Sequence, residues 1–200
     1  GSVLECSLIF QSTPIPGAHA IELERMADDR GFFARSWCRE EFARKGIAVD
    51  MVQASVSHNR LAGTLRGLHF AWPPSQEAKL VRCERGRVLD VILDLRPTSP
   101  AFLRHFAVNL DDEQRNALYI PPGVAHGFQT LVDESTVLYM MTDFYRPALA
   151  DGVRFDDAAF GIAWPLPVTS IVERDRCYAD FDSASHVSRY RLAIERGGKQ

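Results

Sequence analysis

Lys79-Leu-Val-Arg-Cys-Glu-Arg-Gly-Arg-Val-Leu-Asp-Val-Ile-Leu-Asp-Leu95 decides the architecture of this chain. From Val88 onward the residues alternate, so that Leu89, Val91, Leu93 and Leu95 share one face and Asp90, Ile92 and Asp94 the other, which is the period of a β-strand. Lys79 to Cys83 is a second apolar run. The tight polar connection Glu84-Arg85-Gly86-Arg87 joins the two, and together they predict a β-hairpin. Working outward, Phe106, Val108 and Leu110 repeat the alternation before the turn-rich Asp111-Asp112-Glu113. Thr136 to Thr142 does so again, with Val137, Tyr139 and Met141 together. The one good early helix runs from Arg39 to Lys45, with Gly46 as its stop. Short strands punctuated by Pro, Gly and Asp predict a mainly β protein, an antiparallel sandwich or barrel rather than alternating strand and helix units.

The chain has 200 residues, 46% hydrophobic and 24% charged. That suffices for one domain with a real core and excludes disordered and fibrous classes. With 23 Lys and Arg against 26 Asp and Glu, the formal charge is −3. No general basic surface advertises nucleic acid or anionic lipid, so any bound anion must be held by a local cluster. Gly1-Ser2 reads as a cleavage scar and is set aside. The apolar stretches are too short to span a membrane, and the start lacks the pattern of a secretion signal, so a soluble, cytoplasmic protein is expected. Cys6, Cys38, Cys83 and Cys177 are far apart with no zinc-ligand spacing, which predicts free thiols. There is no G-x-G-x-x-G or Walker sequence, no internal repeat and no low-complexity tract. Ser183 to Gln200 is polar and mildly basic, a short helix or a frayed tail.

Two of the six histidines keep unusual company. His69 follows Leu65-Arg66-Gly67-Leu68, which sets a cation, a glycine that allows close backbone approach and a titratable ring within four positions. His126 follows Ile120-Pro121-Pro122-Gly123-Val124-Ala125 and precedes Gly127-Phe128, a turn that fixes the ring at the start of a strand. His19, His58, His105 and His186 read as structural or surface residues. The P-x-G-x-x-H pattern resembles the cupins, but their metal ligand set is absent: Phe70 and Ala71 follow His69, and Glu77 comes only after a proline loop. No metal and no other cofactor is expected.

A more specific resemblance covers residues 21–180. Asp29-Arg30-Gly31-Phe32-Phe33, Leu65 to His69, Lys79-Leu80-Val81-Arg82, Val88 to Arg96 with Ser99-Pro100, Ile120-Pro121 with Ala125 to Phe128, Leu138-Tyr139 with Thr142-Asp143, and Gly161 to Pro165 occur in the order seen in dTDP-4-dehydrorhamnose 3,5-epimerases. The resemblance implies a cupin-type jelly roll with a few short peripheral helices, a single domain over residues 3–182 followed by the tail at 183–200, a homodimer, and a nucleotide-linked 4-keto-6-deoxy sugar as substrate.

Epimerisation beside a ketone needs a base to remove a proton, stabilisation of the enolate and an acid to return a proton on the other face. By resemblance His69 is the base and Asp175 its orienting partner, Lys79 polarises the ketone oxygen, and Tyr139 is the acid. Arg30 and Arg66 take the diphosphate, since guanidinium groups suit phosphate. Phe33 and Gln53 meet the nucleotide base, and His126 the sugar. The chain departs from the family pattern at Arg35, where an acid is common, at Ala54-Ser55-Val56 in place of Asp-Asn-His, at Ala71 in place of Gln, and at Phe144 in place of the first of two tyrosines. The same chemistry also serves a C3-only epimerase, a ketoisomerase on another nucleotide sugar, or, without turnover, a sugar-nucleotide binding module.

Overall fold

A computed structural model describes residues 6–197. Residues 3–5 of the expected domain and 198–200 of the expected tail lie outside the described residues. The elements in chain order are β1 (Leu8–Ser12), β2 (His19–Leu23), β3 (Arg25–Asp28), β4 (Gly31–Ala34), α1 (Arg39–Arg44), β5 (Gln53–Asn59), β6 (Leu65–Ala71), β7 (Lys79–Arg85), β8 (Arg87–Asp94), β9 (His105–Asp111), β10 (Ala117–Ile120), β11 (Val124–Thr130), β12 (Ser135–Met141), β13 (Ala150–Gly152), α2 (Glu173–Arg176) and α3 (Ser183–Gly197). All strand pairs within the sheets are antiparallel. One sheet has the order β1-β2-β10-β7-β12-β5, a second β13-β6-β11-β8-β9, and β3 with β4 forms a separate ribbon. Two sheets face to face make the jelly-roll cupin architecture expected from the resemblance.

The hairpin expected at Glu84 to Arg87 does not form. β7 pairs with β10 and β12, while β8 pairs with β11 and β9 in the other sheet. Only Gly86 separates the two strands, and its φ of +79° lets the chain cross from sheet to sheet instead of folding back. The reason lies in burial. Val81 and Cys83 on β7 and Val88 and Ile92 on β8 all turn into the space between the sheets, where they meet Leu110, Leu118, Val124, Phe128 and Val137. Side chains of this size contribute about 1.5–3 kcal/mol each when fully buried, so facing one another across the sandwich is favoured over lying side by side.

The alternating faces are as the sequence predicts. Leu110, with Phe106 and Val108 partly buried beside it, and Val137 with Tyr139 point inward. The other face of β8 is covered too: Val91, Leu93 and Leu95 pack with Phe70, Trp72, Phe160 and Trp164 in a second core closed by the C-terminal region. There α3 docks through His186, whose Nε2 meets the Leu95 carbonyl at 2.7 Å. On the opposite side α1 seats Phe42 against Leu80 and Tyr119. It is anchored by the buried Glu41, which accepts from the Leu8 N–H at 2.7 Å and from Arg35 at 2.8 Å. The four cysteines are free thiols. Among the described residues, no helix is long and apolar enough to cross a membrane.

Candidate active site

β6 and β11 lie side by side with His69 and His126 in register. They approach closely because Gly67 and Gly127 lack side chains: a Cβ on Gly67 would sit 2.6 Å from the Gly127 Cα and from the His126 carbonyl oxygen. The φ of +109° at Gly67 is also a conformation that other residues avoid. Both imidazoles therefore leave one sheet at the same level. From the facing sheet come Lys79, the first residue of β7, and Tyr139 on β12. His69, Lys79 and Tyr139 line a cavity of about 350 Å³ together with Phe144, Tyr145 and Glu77. The same three line an adjoining lobe of about 310 Å³, which adds Arg66, His126 and Asp175.

Asp175 reaches this place from the short helix α2, 106 positions beyond His69 in sequence. Its carboxylate is almost completely buried, with Oδ1 at 2.8 Å from His69 Nε2 and Oδ2 accepting the Gly67 N–H at 3.0 Å. Burial pushes this carboxyl up, but the His69 ring, the Gly67 N–H and Arg174 more than offset that and hold it below the usual carboxylate range. An ionised carboxylate only accepts. His69 must then carry its proton on Nε2, which leaves Nδ1 as the basic nitrogen.

His126 has a carboxylate behind it as well. Its Nε2 lies 2.8 Å from Oδ2 of Asp90, a fully buried residue on β8 whose Oδ1 has no partner among the described residues. Burial drives the Asp90 carboxyl above its ordinary range, and His126 only partly offsets this. Lys79 Nζ is paired with Glu77 at 2.7 Å. Arg66 donates from Nε to Asn59 at 2.7 Å, and Gln53, at the start of β5, accepts the Tyr145 N–H at the rim.

The structure thus gathers His69, Lys79, Tyr139, Asp175, Arg66 and His126 around one connected space, with Gln53 at its edge. Arg30 and Phe33 stand elsewhere, on the β3–β4 ribbon. The Arg30 side chain is 90% exposed and paired with Asp28, while Phe33 lines a separate groove with Leu138 and Arg82. Of the departures from the family pattern, Ala71 and Phe144 line the His69 cavity. Arg35 is bound to Glu41 at the base of α1.

Two residues of the site carry no signal that sequence reading picks up unaided, and a third carries only a hint. Arg174 places a guanidinium nitrogen 3.1 Å from His69 Nε2 and another 3.3 Å from Asp175, yet in sequence it is one charge among several. Glu77 reads as part of a polar loop. Asp90 does give a hint, because an acid within an apolar strand that is covered on both faces requires a buried partner.

The comparisons with known proteins point to one family. The family model described as dTDP-4-dehydrorhamnose 3,5-epimerase matches residues 12–183. A dTDP-4-dehydrorhamnose 3,5-epimerase of Methanothermobacter thermautotrophicus is 41% identical over 170 residues, covering 84% of this chain and 91% of that protein. The solved epimerase of Mycobacterium tuberculosis superposes with a TM-score of 0.85 at 34% identity, covering 96% of this chain and 98% of that one. ChmJ, a 3'-monoepimerase from Streptomyces bikiniensis solved with dTDP-quinovose, superposes with a TM-score of 0.80 at 30% identity, covering 94% and 95%. With the matching model spanning most of its length and His69, Lys79 and Tyr139 gathered in one cavity, the chain belongs to the dTDP-4-dehydrorhamnose 3,5-epimerase family and is a sugar epimerase of deoxysugar biosynthesis.

Proposed function

We propose that the protein epimerises a dTDP-linked 4-keto-6-deoxy sugar by proton removal and return at C3, C5 or both. One observation carries this reading: His69 and Tyr139 line the same cavity from opposite sheets. A sugar ring between them meets a base on one face and a phenol on the other, which is what inversion at carbon requires.

The ketone at C4 acidifies its neighbouring C–H bonds. His69 takes the proton on Nδ1, and Asp175 stabilises the imidazolium through Nε2. Charge moves to the C4 oxygen, where the Lys79 ammonium meets it in a partly enclosed site and is worth more than in water. Tyr139 then gives its proton to carbon from the far side. His126, held by Asp90, contacts the sugar. Arg66 and Arg174 flank the entrance on the His69 side and suit the diphosphate. Gln53 and Tyr145 offer a hydrogen-bonding edge and an aromatic face to the pyrimidine. Arg30 and Phe33 can serve the nucleotide only if a second copy of the chain brings its β3–β4 ribbon to this mouth, so the working form in this reading is a homodimer. A soluble sugar-nucleotide substrate accords with a cytoplasmic location.

The test is incubation with dTDP-4-keto-6-deoxyglucose in heavy water, with deuterium located by NMR and mass spectrometry. Label at C3 and C5 supports the double epimerase, and label at C3 alone supports a monoepimerase. No label with this or other nucleotide-linked 4-keto sugars would overturn the assignment.

A further inference from the structure

Glu77 reaches into the cavity that holds His69, Lys79 and Tyr139, although the acid–base chemistry needs no second carboxylate there. Its Oε1 lies 2.7 Å from Lys79 Nζ, and each of the two side chains is only 13% exposed. Such a pair is screened far less than the surface ion pairs that contribute little. The two residues are two positions apart as the chain enters β7, so their side chains leave it on the same side. Glu77 is itself held from behind. Its backbone N–H donates to Ser75 Oγ at 3.2 Å, Ser75 Oγ donates to Asp143 Oδ2 at 3.1 Å, and Asp143 is paired with Arg146 at 3.3 Å.

A lysine carries a point charge on a flexible stem. To stabilise charge at one oxygen it must be aimed, and it must stay protonated while the reaction runs. We infer that Glu77 is the positioning residue for Lys79: it takes one of the three ammonium N–H bonds and leaves the other two aimed into the cavity. The inference rests on the reading above, in which Lys79 faces the ketone oxygen. No bond is made or broken at Glu77. Its cost is that it cancels part of the positive field, so its contribution must appear as orientation rather than as added charge.

The discriminating variants are Glu77→Gln, which keeps the shape and an acceptor but removes the charge, and Glu77→Asp, which keeps the charge on a shorter stem. Two readouts are taken, kcat and KM for deuterium incorporation, on variants whose fold is checked by melting temperature. In Glu77→Gln the value of kcat should fall roughly 10- to 100-fold with KM and melting temperature much less changed. Glu77→Asp should recover part of that loss, because the charge is kept. A merely structural glutamate would lower melting temperature and rates together and would not distinguish the two variants. A parental kcat in Glu77→Gln, or equal losses in both variants, would therefore overturn the inference. Lys79→Gln separates the two levels of the argument: full activity in that variant would remove Lys79 from the reaction and with it the basis of the inference. An inactive Lys79→Gln beside an unperturbed Glu77→Gln would sink the role of Glu77 alone.

Discussion

Replacing Asp175 with Asn changes one atom of the site's acid–base pair, and the structure dictates which way the amide must face. Oδ2 of Asp175 accepts the Gly67 N–H and Oδ1 meets His69 Nε2. With its oxygen toward Gly67, the amide keeps that backbone donor satisfied and presents its NH2 to His69. The opposite orientation sets NH2 against N–H in a buried position and costs about 1–3 kcal/mol for the unmet donor. The first orientation wins, because Arg174 is 63% exposed and can turn its guanidinium to water. His69 Nε2 must then become an acceptor, which moves the ring proton to Nδ1, the nitrogen that should act as base. The charge-assisted bond that stabilised the imidazolium, about 1.5–3 kcal/mol, disappears as well, and at 1.36 kcal/mol per tenfold this alone is roughly 10- to 200-fold. With the wrong tautomer added, kcat for deuterium incorporation should fall by about 10² to 10⁴, the upper end matching the comparable Asp→Asn change in a serine protease. The fold should hold: Asn is isosteric, and a change of about 1 kcal/mol shifts Tm by only about 2–4 °C in a chain of this size. A well-folded Asp175→Asn enzyme exchanging within a factor of about 3 of the parent, under about 0.7 kcal/mol, would refute the assignment of Asp175 as the group that sets the tautomer of His69.

In the proposed mechanism Tyr139→Phe removes the acid and leaves the base, so wash-in of label at the first-deprotonated carbon should persist while net inversion drops by about 10² to 10⁴; equal losses in both rates would make Tyr139 a packing residue. His126→Phe strands Asp90, whose carboxyl burial already drives upward, and should cost about 3–5 kcal/mol at pH 8 in urea unfolding. A carboxyl with a raised folded pKa favours the fold when protonated, so that variant should regain stability as pH falls, and adding Asp90→Asn should abolish the pH dependence; a pH-independent His126→Phe would show that Asp90 does not ionise. His186 has its pKa lowered, chiefly by burial against Phe70, Trp72 and Phe181 and further by Arg189, with the Leu95 carbonyl and Asp151 acting the other way. The fold therefore binds the neutral ring, and this contribution is full above the unfolded pKa of about 6.5 and lost as pH falls through that value toward the lower folded one. Tm measured between pH 8 and pH 5 should fall less steeply in His186→Gln than in the parent, and identical slopes would remove His186 as the source.

Much of the fold is legible in local pattern, and its largest misreading shows where local pattern stops. Val137, Tyr139 and Met141 were separable from their neighbours by alternation alone, because a strand with one face against a core must alternate. The helix at Arg39–Arg44 was legible from Gly46, which takes the left-handed conformation at φ +78°. The connection at Gly86 was not, since a tight polar turn between two apolar strands fits a hairpin and a sheet-to-sheet crossing equally well. What decides between them is non-local: β7 finds β10 and β12, β8 finds β11 and β9, and none of those partners is visible in the seventeen residues from Lys79 to Leu95 that suggest the hairpin.

The site divides along the same line. Residues whose chemistry is rare in its context, a histidine after Arg-Gly-Leu or a histidine after a proline turn, stand out in sequence and fall together in space. Glu77, Asp90 and Arg174 do not stand out, because a single charge near a loop or within a strand has a solvated reading that costs nothing. Each acquires meaning only from its partner: Lys79 at 2.7 Å, His126 at 2.8 Å and His69 at 3.1 Å. In all three the partner is a residue whose chemistry the sequence does suggest. Glu77 and Asp90 are carboxyl groups that fix where Lys79 and His126 point, while Arg174, which can only donate, sets its charge against Asp175 beside a ring nitrogen that already carries a proton. Proton transfer at carbon depends on how these groups are placed, so substitution of the second partners should lower kcat for deuterium incorporation more than it raises KM.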